Sequence, residues 1–140
     1  MSLIDKLFPA RKFKFRGPDK TFQRIDSPEF NAEYRAAEAV GRVSFGENRF
    51  FYRDLGVRYY CPYDYIERAF TRISECQPDD SPAYYYYRLI LVHGEKEFAN
   101  LIFNEEKDCD EAIFRLQKRN SDMAVGYLPP ADGKRRARFM

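Results

Sequence analysis

Apolar residues recur along the chain with two periods, and the switches between them mark the elements. Ser27, Pro28 and Glu29 precede Phe30, Tyr34, Ala37 and Val40, which share one helical face. A serine N-cap, a proline where its missing N–H costs nothing and an acid at the positive helix end predict a helix over 28–40. Gly41 is its expected stop, because glycine adopts the left-handed cap freely. The pattern then shortens to period two. Segments 42–45, 49–54 and 57–61 are rich in Val, Phe and Tyr, and Gly46-Glu47-Asn48 and Leu55-Gly56 separate them. They predict short antiparallel strands in a meander, with Pro62 ending the last or marking its edge.

Residues 64–76 carry both signals. Ile66, Ala69, Phe70 and Ile73 fit a helix capped by Asp64, whereas the flanking strands favour one long bent strand; strand is the reading adopted. A loop follows at 77–82. The run 83–92, with four tyrosines and Leu-Ile-Leu-Val, is the strongest strand. His93-Gly94-Glu95 turns the chain, and 96–103 returns as its hairpin partner. A closing helix is predicted at 109–119, introduced by Asp108 and Glu111 as a variant capping box. Cys109, Ala112, Ile113 and Leu116 form its apolar stripe, Lys118 and Arg119 suit its negative end, and Asn120 stops it. Beyond it, 123–128 is apolar enough to dock on the body. Near the start, Arg11-Lys12-Phe13-Lys14-Phe15-Arg16 alternates basic and aromatic residues until Gly17-Pro18-Asp19 breaks the pattern.

Composition narrows the class. The chain has 140 residues, 44% of them hydrophobic and 33% charged, which suits one domain able to bury a core without disulfide or metal. No apolar run approaches the roughly 20 residues that span a bilayer, and no signal peptide is expected, so a cytoplasmic protein is the expectation. Cys61, Cys76 and Cys109 lack metal-site or redox spacing and read as reduced thiols. Charge is uneven: residues 1–26 carry +4 and 131–140 carry +3, so the intervening 27–130 carry −5. The expected organisation is a basic segment 1–26, one domain over 27–130 and a basic tail 131–140.

The order of short strands, long strand, hairpin and closing helix resembles the pleckstrin-homology-like superfold, especially small bacterial members of unassigned function. Residues 48–70 carry the likeness, above all Cys61-Pro62-Tyr63 followed by Ile66-Glu67-Arg68-Ala69, and it extends over about 41–120. The resemblance implies an α+β fold: a strongly bent antiparallel sheet, or partly open β-barrel, of about six to seven strands capped by the C-terminal helix, with an additional N-terminal helix. Residues 11–16 or the chain after 123 must then supply a seventh strand. The tryptophan common in the family's last helix is missing, and Phe114 is the nearest substitute. Phosphoinositide binders of the family use a basic loop between the first two strands. Here that loop is the short Gly46-Glu47-Asn48, so that activity is not carried over.

Candidate chemistry is sparse. His93 is the sole histidine, and no nucleotide, hydrolase or calcium motif is present. No cofactor or metal is expected. Nine of eleven tyrosines lie between Tyr52 and Tyr87, and alternation along 84–87 sends two rings to each side of a sheet. Tyr84 and Tyr86 are the candidate recognition aromatics, unless 1–26 or the 28–40 helix covers them. Phe13 and Phe15 read as stacking platforms for single-stranded nucleic acid, as an interfacial anchor or as the apolar face of an added strand. The leading expectation is a non-catalytic binding or scaffold module whose partner is a protein or peptide, taken at an exposed sheet edge. The alternative is a peripheral adaptor for an anionic membrane or nucleic acid, acting through Lys12, Lys14, Arg16, Lys134, Arg135, Arg136 and Arg138. An enzyme would need His93 and a cysteine together in a pocket.

Overall fold

The computed structural model describes residues 14–18 and 27–126. In chain order the elements are α1 (Pro28–Ala36), β1 (Glu38–Val40), β2 (Val43–Phe45), β3 (Arg49–Asp54), β4 (Val57–Pro62), a 3-10 turn (Tyr63–Tyr65), β5 (Arg68–Cys76), β6 (Tyr84–His93), β7 (Lys96–Phe103), α2 (Glu106–Arg119) and β8 (Ala124–Val125). They form two four-stranded sheets, ordered β1-β2-β3-β4 and β7-β6-β5-β8. All pairings are antiparallel except β5 with β8. The class is α+β as expected, but two open sheets stand in place of one bent sheet of six or seven strands. Neither sheet closes into a barrel.

The expected 28–40 helix is not what forms. Helix is confined to Pro28–Ala36, where the Ser27 hydroxyl accepts from the Phe30 N–H at 3.2 Å. Glu38–Val40 is instead the edge strand of the first sheet, paired from Glu38 with Phe45 to Val40 with Val43. Val40 is buried in the core. A helix stripe would also have turned it inward, so periodicity could not separate the two states; the hairpin partner decides. Gly41 accordingly sits in the β1–β2 turn with φ +59°, and a Cβ there would lie 2.5 Å from the Phe103 ring. The strand reading of 64–76 holds for Arg68–Cys76, which pairs along its whole length with β6. Both proposed sources of a further strand contribute. Arg16 bridges Tyr59 in parallel through two backbone bonds of 2.9 Å, and β8 pairs with the start of β5.

The inner faces of both sheets and the buried face of α2 share one core. Phe50, Tyr52, Tyr59 and Cys61 enter it from the first sheet, and Ala69, Leu89, Leu91 and Leu101 from the second. Cys109, Ala112, Ile113 and Leu116 supply the helix stripe read from the sequence. The proposed capping box does not form. The helix begins at Glu106 after Glu105, which makes no side-chain cap, and Asp108 lies in its first turn. Phe114 does not take the buried place expected of it from the resemblance: it is 53% exposed, with the Lys118 ammonium 4.8 Å from its ring. Asn120 does more than stop the helix. Its amide donates to the carbonyls of Tyr63 (2.7 Å) and Ile66 (2.9 Å), which fastens the end of α2 to the β4–β5 connection.

The outer faces differ. On the first sheet Phe51 is buried against Phe15 (5.2 Å between rings) and Tyr34 (5.2 Å), and Tyr60 meets Phe30 edge-on at 5.0 Å. On the second sheet the outer face carries Arg72, Ser74, Cys76, Tyr84, Tyr86 and Arg88 at one end, with Phe70 and Ile90 buried toward the other.

Candidate functional site

The basic ends do not assemble a site among the described residues. Lys12, Lys134, Arg135, Arg136 and Arg138 lie outside them. Lys14 is exposed, but Arg16 is half-buried and its main chain is tied to Arg58 and Tyr60. Phe15 is fully buried under α1, so of its readings the inward-facing added strand is the one that matches; Phe13 lies outside the described residues.

The short β2–β3 turn is occupied from within the chain. The Glu33 carboxylate accepts the Asn48 N–H at 2.7 Å and the Arg49 N–H at 2.9 Å, and pairs with the Arg49 guanidinium at 3.2 Å. That guanidinium lies 3.9 Å from the centre of the Phe30 ring. Gly46 is required by this approach, since a Cβ there would lie 2.5 Å from Glu33 Oε2. The donors that a turn offers to an anion are therefore spent on α1.

The cysteines and histidine have separate surroundings. His93 stacks on Tyr65 with ring centres 3.8 Å apart, donates from Nδ1 to the Tyr65 carbonyl at 2.8 Å and lies 3.4 Å from Glu67. Cys109 is buried, with the Thr71 hydroxyl 3.4 Å away. Burial pushes its thiol up to about 11, Thr71 opposes this, and Asp110 and Glu106 add to it. Burial, then Asp64, also raises Cys61. A raised thiol pKa suppresses the thiolate that nucleophilic chemistry uses. Among the described residues, no cluster of His, Cys, Asp or Glu could hold a metal ion. No helix described is long and apolar enough to cross a membrane.

The far end of the β5–β6 ribbon gathers the remaining candidates. β7 ends opposite Tyr87, so 84–86 of β6 have one edge that no strand among the described residues covers. Alternation places Ile73, Glu75, Tyr85 and Tyr87 on the core-facing side and Arg72, Ser74, Cys76, Tyr84, Tyr86 and Arg88 on the outer side. The expected division of the tyrosines into a buried and an exposed pair does not occur. Tyr87 packs against the core, whereas Tyr85 on the same side is 50% exposed. Tyr84 is 46% exposed and Tyr86 half-buried. α1 does not cover this pair; its aromatic contacts are with the first sheet. The Tyr86 hydroxyl donates to that of Tyr84 at 3.1 Å, and the rings meet edge-on at 5.3 Å. Hydrogen bonding with Cys76 first, then Tyr86, raises the Tyr84 pKa and keeps its hydroxyl protonated.

Sequence reasoning missed Ile73 (41% exposed), Tyr85, Arg72 and Arg88 at this end. The signal available was alternation carried to the end of the hairpin, where the ribbon outruns the core. No family model, no curated protein and no solved structure matches this chain.

Proposed function

We propose that this chain is a non-catalytic binding or scaffold module, pleckstrin-homology-like in arrangement, that takes a protein or peptide partner in the cytoplasm. A four-stranded antiparallel meander, a three-stranded meander and a helix, in that order, support the arrangement. Three free thiols suit a reducing compartment. The observation that carries the binding role is the free end of the β5–β6 ribbon. Ile73, Tyr84 and Tyr85 are exposed there, beside the edge of β6 over 84–86 that β7 does not reach and that no other strand among the described residues covers. An extended peptide can pair with such an edge while apolar pockets select its alternate side chains. Tyrosine supplies large contact area at low entropic cost.

The test is selection of extended peptides from a random library on the full chain, followed by affinity measurement on an Ile73→Ser/Tyr85→Ser double variant. The expected result is selected peptides whose affinity falls about tenfold or more in the variant. Failure to select any, or equal affinity for both proteins, contradicts the proposal.

A further inference from the structure

We infer that Arg88, on the outer face of the second sheet, receives an acidic side chain from an extended peptide; this rests on the peptide-binding reading above. Arg72 and Arg88 stand directly opposite each other on β5 and β6. Like charges so placed repel unless each is offset. Arg72 is offset by Glu97, whose two carboxylate oxygens accept at 2.8 and 3.3 Å. Arg88 is held by neutral groups instead: its Nε donates to the Ser74 hydroxyl at 3.0 Å and one terminal nitrogen to the Asn100 side-chain oxygen at 3.2 Å. A guanidinium has five N–H donors. Two are used here, and those two fix the plane of the group, so among the described residues three remain with no carboxylate to meet them. Glu97 is the one carboxylate among the residues of β5, β6 and β7 that share this face, against Arg68, Arg72 and Arg88. The face is thus cationic in a body, 27–130, whose net charge is −5.

A pre-positioned guanidinium with open donors is the group that binds a carboxylate in two-point geometry. Tyr86 and Tyr84 continue the same face along β6 and give a peptide an amphipathic wall beside the charge. A nucleic acid fits less well. A phosphate chain needs a row of cations, but Arg72 is committed to Glu97 and Arg68 donates to the Gly126 carbonyl at 3.0 Å. The two tyrosine rings also turn edge-on to each other rather than opening a slot for a base.

The test is fluorescence anisotropy on the full chain with two labelled peptides of about ten residues, one alternating Val with Glu and one alternating Val with Gln. A short oligothymidylate is the third probe. The expected result is that the Glu peptide binds about tenfold or more tighter than the Gln peptide. That preference disappears in Arg88→Gln and survives in part in Arg88→Lys, which keeps charge but loses the planar fork. Because the preference is measured between two peptides on one protein, it does not depend on a variant folding. Equal binding of the two peptides to the unaltered chain overturns the role of Arg88 and leaves the peptide-binding proposal standing. Binding of neither peptide overturns both. Arg88-dependent binding of oligothymidylate overturns the peptide in favour of nucleic acid.

Discussion

The two sheets have equal strand numbers and opposite outer faces. The first is sealed on that side: Phe51 is 1% exposed and Phe15 0%, packed with Tyr34 and Phe30 from α1. The second presents arginine, serine and tyrosine at its free end. A sheet covered on both faces is built for stability, whereas one with a polar aromatic face retains a surface for recognition. The difference arises from where α1 and the 14–18 segment lie, which is a property of chain connection and not of the strands themselves.

The largest way to break this comparison is to empty the sealed face. Phe51→Ala or Phe15→Ala is expected to cost about 3–5 kcal/mol in urea unfolding, while Tyr84→Ala costs far less. Similar losses at both faces would remove the distinction. Glu33→Ala, which releases α1 from the β2–β3 turn, is expected to cost about 1–2 kcal/mol by the same measurement. Tyr52→Phe is expected to be neutral or to stabilise by up to about 1 kcal/mol, since the Tyr52 hydroxyl is buried without a hydrogen-bond partner among the described residues.

Alkaline pH weakens the core from which the second sheet's free end projects. Burial raises Cys109 from 9.0 to about 11, and burial raises Tyr63 from 10.0 to about 12 although Arg119 opposes it. Each group loses its proton more readily in the unfolded chain. Their contribution is complete below pH 9.0 and is lost as pH rises through about 11 and 12. Thermal melts are expected to show a falling midpoint above pH about 9; a flat profile across that window contradicts the burial. The smallest expected effect is that of Ile73→Ser and Tyr85→Ser, which shift stability by no more than about 0.5 kcal/mol. Losses of several kcal/mol would make them core residues and not a free surface.

Much of the strand order was legible. The spans 49–54 and 96–103 coincide with β3 and β7 because Phe50-Phe51-Tyr52 lies between the glycine turns at 46 and 56, and Phe98 to Phe103 returns directly from the turn at Gly94. Glu38–Val40 was not legible, since Val40 is inward in either state and a non-local partner chooses between them. The candidate site was half visible. Tyr84 and Tyr86 follow from alternation, but Arg72 and Arg88 become neighbours only through a register that pairs residues across the 77–83 connection. Phe114 shows the opposite error: aromatic size pointed to the core, but its position on the far side of the stripe from Cys109, Ala112, Ile113 and Leu116 places it outside.

The most direct test of the central claim is an NMR titration of isotope-labelled protein with the alternating Val–Glu peptide. Amide shifts confined to residues 72–76, 84–88 and the adjoining part of β7 are the predicted result. Shifts centred on β1–β4 and α1, or none at saturating peptide, would contradict the assignment of recognition to the second sheet.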